Sequence, residues 1–168
     1  DGRRLGARGR PRARLLLSVS NLVERKGHDV VIRALPMLGP SFEDVLFLVV
    51  GDGPYRATLE RLAAETGVAD RVVFLGQVPT LELPRLYSAA DAFILASRDR
   101  SEHCDVEGFG IVFSEAAACG AAPIGGRSGG VADAVEKVDP PLQQVGPWCG
   151  DDAARRHVSM DSPLARVL

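Results

Sequence analysis

The feature that most constrains the fold is an alternation of short apolar runs with amphipathic segments of helical spacing. It begins at Leu15 and fails from about Glu136 onward. Short continuous apolar runs are typical of parallel strands that are buried on both faces. Four such runs lie at 15–20, 45–50, 71–76 and 91–97, and a weaker one lies at 122–125. This order predicts an α/β fold, a Rossmann-like, doubly wound parallel sheet with right-handed connections and helices on both faces.

The segments between the strands have the apolar spacing of helices. Residues 27–39 form one of them, in which Pro36 predicts a kink or an early end. A stronger helix is predicted from 55 to Gly67, and shorter ones at 82–90 and from 111 to Gly120. Because ligands of doubly wound sheets bind beyond the carboxyl ends of the strands, the site is expected in the loops at 20–27, 51–54, 76–79, 97–109 and 125–130.

Size and composition fit one globular domain. The chain has 168 residues, of which 46% are hydrophobic and 25% charged. We divide it into a basic linker (1–14), the Rossmann-like domain (15–138) and an irregular tail (139–168). No secretory signal and no run long enough to span a bilayer is visible, so a cytoplasmic protein is expected. The three widely spaced cysteines are expected to be reduced thiols.

Several functional classes are disfavoured. A formal net charge of -2 argues against a nucleic-acid partner, and the arginines of the linker have no interleaved aromatic residues. The "GDGPYR" segment at 51–56 has Arg56 where a dinucleotide fingerprint needs its third glycine. The acidic, His and Cys side chains at 102–107 are crowded rather than paired at the spacing of a zinc site, so no metal is predicted. His28 is expected at the surface.

Two carboxylates, Glu107 and Glu115, are the strongest candidates for ligand binding. A helix that begins near Gly108 separates them by roughly 12 Å along its axis and by about 80° around it, so both can face one elongated polar ligand. The free N–H groups of the first turn favour an anion, and Gly108 and Gly110 allow close approach of the backbone, with Phe109 as a wall. A ligand with hydroxyls at both ends and phosphates between them, such as a nucleoside diphosphate sugar, suits this arrangement.

The alternative is a helix-capping Glu107 with an unrelated surface Glu115. Glu115 argues against it, because its neighbours Ile111 to Phe113 and Ala116 to Ala118 are apolar. A carboxylate in such surroundings needs a partner.

These motifs resemble the C-terminal, donor-binding half of retaining glycosyltransferases of family 4, which have the GT-B fold and a Glu-x7-Glu motif. The resemblance extends from Leu15 to Val135. It rests on segments that agree in order and spacing, "SNLVERKG", "LVVGDGP", "DRVVFLGQVP", "DVEGFGIVFSEAAACG" and "GGRSGG". Within the family, the chain looks most like the bacterial phosphatidylinositol mannosyltransferases and their relatives that use GDP-mannose.

The resemblance implies a donor site and a role for each matched residue. Glu107 would bind hydroxyls of the hexose, and Glu115 would bind those of the ribose. Lys26, assisted by Arg25, would neutralise the departing diphosphate, which makes Lys26 and Glu107 the catalytic residues. The nucleobase would contact the main chain of Val78. Backbone N–H groups would complete the hexose subsite at Gly108, Phe109, Gly110 and Ile111.

The implied function is transfer of a hexose, mannose from GDP-mannose, with retention to a lipid or small polyol acceptor. No metal or other cofactor is expected. The acceptor domain of relatives is missing from this chain, so the chain alone is expected to be inactive, and lipid acceptors imply peripheral association with the inner membrane face. Two departures stand out, Asn21 where many members have Arg, and Pro123 in a presumed central strand. The alternatives are a nucleotide-sugar epimerase of the same architecture and a non-catalytic remnant that binds a partner protein.

Overall fold

Five parallel strands form a single sheet in the computed structural model, which describes residues 13–98 and 111–126. The order of the strands across the sheet is β3-β2-β1-β4-β5. Their bounds are Arg14–Val19 (β1), Val45–Val50 (β2), Val72–Gly76 (β3), Ala92–Leu95 (β4) and Ala122–Gly125 (β5). The predicted doubly wound parallel sheet is confirmed.

Four α-helices connect the strands of the described ranges. They are His28–Ala34 (α1), Arg56–Glu65 (α2), Leu83–Ala89 (α3) and Ile111–Ala118 (α4), and short 3-10 turns lie at Glu24–Lys26, Leu35–Leu38, Pro40–Phe42, Ala69–Arg71 and Thr80–Glu82. The predicted early end of α1 is confirmed, because the chain tightens into a 3-10 turn at Pro36. Within these ranges no helix has the length and apolar character needed to cross a bilayer.

The helices divide between the two faces of the sheet because successive strand residues point in opposite directions. On β1, Leu16 packs into a core with residues of α1 and α2, whereas Leu15 and Leu17 pack on the other face with residues of α3 and α4. On that second face Phe93 of β4 makes edge contacts with Tyr87 of α3 and with Phe113 of α4, at centroid distances of 5.8 and 5.3 Å. Such pairs contribute about 0.5–1.5 kcal/mol beyond burial and hold α3 beside α4.

The strand order creates a crevice between the ends of β1 and β4. The chain passes from β1 to β2 and β3 on one side, and then crosses back to place β4 on the other side of β1. The connections that leave β1 and β4 therefore diverge to opposite sides of the sheet. In doubly wound folds this switch point, at the carboxyl ends of the strands, is where ligands bind.

Two residues occupy positions that differ from the sequence-based expectation. Among the strands of the described ranges β5 lies at the sheet edge, where a proline is tolerated, rather than in the centre as assumed for Pro123.

Arg14, assigned to the linker, is the first residue of β1. Its guanidinium lies 4.4 Å from the centre of the Phe42 ring and its Nε donates to Asp44 at 3.1 Å, a hydrogen bond that lowers the pKa of that carboxyl.

Candidate functional site

The turn that carries Lys26 lies against the end of β4, at the switch point. After β1 the chain forms the 3-10 turn Glu24–Lys26 and enters α1 through Gly27, whose φ is 72°. A Cβ built on Gly27 would lie 1.8 Å from the carbonyl oxygen of Ala96, the residue that follows β4. Both the left-handed backbone and the contact require glycine here. Lys26 and Arg25, both half-buried, are thereby placed in the crevice.

Both glycines of the "GDG" segment lie where the chain after β2 packs closely against the backbone of the chain after β1. A Cβ on Gly51 would lie 2.0 Å from the oxygen of Ser20, and one on Gly53 would lie 2.5 Å from the oxygen of Leu22. Leu22 N also donates to the oxygen of Asp52 at 3.0 Å. These glycines therefore let the connections that follow β1 and β2 pack against each other. This packing accounts for the spacing of the glycines without a dinucleotide site.

Glu115 is exposed on α4 but is held by a buried phenol. Tyr87 is 2% exposed, and its hydroxyl donates to Oε2 of Glu115 at 2.9 Å. Burial, together with the neighbouring carboxylate, raises the pKa of Tyr87, so the phenol stays protonated as a donor. Tyr87 is the partner that the sequence predicted for Glu115. The surroundings differ from the expectation, because α4 buries Phe113 and Ala116 and leaves the carboxylate on its open face.

A cavity of about 220 Å³ lies between α3 and α4, next to this pair. Its walls are almost entirely apolar, and it is lined by Tyr87 and Glu115 together with Thr80, Leu83, Pro84, Ala118 and Cys119. Val78, in the loop that follows β3, is half-buried against the same hydrophobic cluster as Tyr87. The structure therefore brings Val78 and Glu115 to the same side of the sheet, whereas Lys26 follows β1 at the switch point.

Of the remaining predicted site residues, only Ile111 lies within the described ranges. Glu107, Gly108, Phe109 and Gly110 lie outside the described residues, so their roles stay predictions. Ile111 is the first residue of α4 and is 67% exposed. In the described ranges no cluster of three or more His, Cys, Asp and Glu side chains could hold a metal ion, and metal-free chemistry likewise stays a prediction.

The expectation that His28 lies at the surface was wrong. Its side chain is 1% exposed, its Nε2 lies 3.1 Å from Oγ of Ser20, and its Nδ1 has no hydrogen-bond partner among the described residues. Burial, and to a smaller extent the charge of Lys26, lowers the pKa of His28 to about 4. The ring is thus neutral near pH 7 and adds no positive charge to the crevice. The sequence could have indicated this burial, because His28 shares the i, i+3, i+4, i+7 spacing of a buried stripe with Val31, Ile32 and Leu35.

Comparison with known proteins defines the class to which this fold and site belong. The sequence model of the family described as "Glycosyl transferases group 1" matches residues 8–140. The chain is a member of this glycosyltransferase family, and its sheet is the Rossmann-like C-terminal half of the GT-B architecture.

One curated relative shows which kind of glycosyltransferase this chain is similar to. The chain is 46% identical over 132 residues to the GDP-mannose-dependent alpha-(1-6)-phosphatidylinositol monomannoside mannosyltransferase of Mycolicibacterium smegmatis, which covers 79% of this chain and 34% of that protein. The chain therefore spans about a third of the length of this curated relative. The family match and this relative support the glycosyltransferase hypothesis rather than the epimerase alternative.

Two solved structures share the fold. WaaG, a glycosyltransferase involved in lipopolysaccharide biosynthesis, superposes with a TM-score of 0.62 at 31% identity, over 73% of this chain and 31% of that one. HepE of Anabaena, solved in complex with UDP and glucose, superposes with a TM-score of 0.61 at 28% identity, over 71% of this chain and 31% of that one.

Proposed function

We propose that this chain is the donor-binding part of a retaining mannosyltransferase that uses GDP-mannose. The observation that carries the proposal is the Tyr87–Glu115 pair, a carboxylate fixed at an open position beside a cavity in a member of this glycosyltransferase family. The mycolicibacterial relative supports GDP-mannose as the donor, and the complex of HepE with UDP and glucose supports nucleotide and sugar binding in this architecture.

Glu115 is proposed to bind the ribose hydroxyls. A carboxylate has about four lone-pair positions, and Tyr87 occupies one of them on Oε2. The other positions can accept hydrogen bonds from the two neighbouring hydroxyls of a ribose. The exposure of Glu115 leaves its carboxylate accessible, while the buried phenol restricts its rotamers before the ligand arrives. Val78, on the same side of the sheet, is proposed to meet the base through its main chain.

Lys26 is proposed to stabilise the diphosphate, with Arg25 beside it. The leaving diphosphate gains negative charge as the bond between the anomeric carbon and the phosphate oxygen breaks, and a cation fixed in place stabilises that charge. His28 is neutral and Asn21 is uncharged, so we propose that the stabilising positive charge comes from Lys26 and Arg25 in the turn at the switch point. Glu107 is proposed to hold the hexose hydroxyls, together with N–H groups of residues 108–111.

The proposed chemistry is a front-face displacement without a metal. The acceptor oxygen bonds to the anomeric carbon on the face that the diphosphate leaves, and the proton of the acceptor passes to an oxygen of the departing phosphate. The acceptor, a lipid or small polyol, would be bound by a part of the protein beyond the third that this chain spans in its relative. We therefore expect no transfer by this chain alone, and a lipid acceptor would place the reaction at the inner membrane face.

The test is the thermal midpoint of the chain with GDP, UDP, ADP and their sugars. GDP at about 100 times its dissociation constant should stabilise the fold by roughly 2.7 kcal/mol. The shift should disappear in Glu115→Ala and remain in Glu65→Ala, which removes an exposed carboxylate from α2 on the opposite face of the sheet. A cooperative melt that no nucleotide shifts would contradict the proposal and favour the non-catalytic remnant.

A further inference from the structure

Arg98 joins the turn that carries Lys26 to the end of β4. Its backbone N donates to the oxygen of Arg25 at 2.8 Å, and its Nη2 donates to the oxygen of Glu24, also at 2.8 Å. The same Nη2 donates to Oδ1 of Asp29 at 2.6 Å. A single residue thus contacts the two peptide carbonyls that directly precede Lys26 and a carboxylate of α1 that follows it.

These contacts answer specific needs of the turn. The last carbonyls of a helical turn commonly take donors from outside it. The oxygen of Glu24 accepts from the N–H of Gly27 at 3.2 Å, and Arg98 gives it a second donor. Asp29 is 8% exposed, and a carboxylate so buried requires a positive partner. The guanidinium of Arg98 meets both requirements through one nitrogen, Nη2. With Gly27 packed on Ala96, the end of β4 holds the chain on both sides of Lys26.

We propose that Arg98 is a positioning residue for Lys26, and that Asp29 fixes Arg98 in that role. The inference rests on the proposed function, in which Lys26 meets the diphosphate. In the sequence, Arg98 precedes the segment 99–110, which contains Glu107. The contacts of Arg98 and Gly27 fix the backbone on both sides of Lys26 before any ligand binds.

The experiment is a double-mutant cycle measured by titration calorimetry with GDP and with guanosine, which has no phosphate. Arg98→Gln should weaken GDP binding about tenfold and leave guanosine binding unchanged, but should cost less than about twofold when Lys26 is already Ala. Arg61→Gln is the matched control, because it removes one exposed positive charge from α2, and its GDP binding should equal that of the parent.

The outcomes separate this inference from the function on which it rests. Equal losses from Arg98→Gln with and without Lys26, or equal losses for GDP and guanosine, would overturn the positioning role. GDP binding that Arg98→Gln leaves unchanged would overturn it as well. A parent chain that binds neither ligand would overturn the proposed function and the inference together. If Arg98→Gln does not fold, Asp29→Asn replaces it in the cycle, with a smaller loss of GDP affinity that must also vanish with Lys26→Ala.

Discussion

The hydroxyl of Tyr87 and the carboxylate of Glu115 meet at 2.9 Å although the residues lie 28 positions apart in the chain. Phe93 lies under the contact, packed against Tyr87 and also against Phe113, two residues before Glu115. The orientation of an exposed acidic side chain is thus set by a buried aromatic cluster. This relationship makes Tyr87 a determinant of the proposed ribose subsite through its hydrogen bond to Glu115.

Tyr87→Phe should therefore weaken nucleotide binding while the fold survives. Phenylalanine keeps the edge contact with Phe93 and loses one hydrogen bond to a charged group, which is worth about 1.5–3 kcal/mol. We expect GDP affinity to fall by about five- to tenfold, and 2′-deoxy-GDP affinity to fall less because one of the hydroxyls that Glu115 would accept from is gone.

Titration calorimetry of both ligands measures this difference. Tyr55→Phe is the matched control, since Tyr55 packs on the opposite face of the sheet, and its affinities should equal those of the parent. Equal losses of affinity for the two nucleotides in Tyr87→Phe would show that the phenol does not act through the ribose.

The sheet and its helices could be predicted because their signals are local. The apolar run at Val45–Val50 and the break at Pro36 each depend on a few neighbouring residues, and both match the structure. The topology followed from the alternation, because right-handed connections leave few ways to wind it. Local chemistry also selected Glu115 as a candidate ligand-binding residue, whereas Lys26 was implied by the family resemblance.

The supporting contacts could not be predicted because they depend on distant parts of the chain. Tyr87 reaches Glu115 only because the crossover from β3 to β4 brings α3 beside α4 on one face. Arg98 reaches Asp29 across 69 positions, at the point where β1 and β4 become neighbours. His28 was misjudged because it was considered as a single polar residue rather than as part of the buried stripe of α1.

Gly27→Ala should destabilise the fold far more than Gly67→Ala, a substitution at the glycine that ends α2. Both glycines have positive φ, of 72° and 71°, so both substitutions cost about 1–2 kcal/mol in backbone strain. A Cβ at Gly67 meets nothing within 4 Å, whereas one at Gly27 would overlap the carbonyl of Ala96. We expect a loss of more than about 4 kcal/mol for Gly27→Ala.

Urea unfolding followed by circular dichroism compares the two variants directly. Because Gly27 and Gly67 have nearly equal φ, the difference between the two free energies of unfolding reports mainly the contact of Gly27 with Ala96. Similar losses in the two variants would mean that the turn of Lys26 can move away from β4 at little cost.

His28 should make the stability of the fold fall as the pH decreases from about 6.5 to about 4. Its folded-state pKa of about 4 lies below the ordinary histidine pKa of 6.5, so in this window the unfolded chain binds a proton that the folded chain does not. The free energy of unfolding therefore rises with pH across the window and receives no further contribution from this group above it. At 1.36 kcal/mol per pKa unit, the full effect is roughly 3 kcal/mol.

The measurement is urea unfolding of the parent and of His28→Gln between pH 7 and pH 4.5. Other groups titrate in this range in both proteins, so the difference between the two pH dependences isolates His28. The parent should lose about 2–3 kcal/mol more than the variant over this interval, whatever the variant costs at pH 7. Parallel pH profiles would show that the imidazole can accept a proton in the folded state, and the protonated ring would then add a positive charge to the crevice at the switch point.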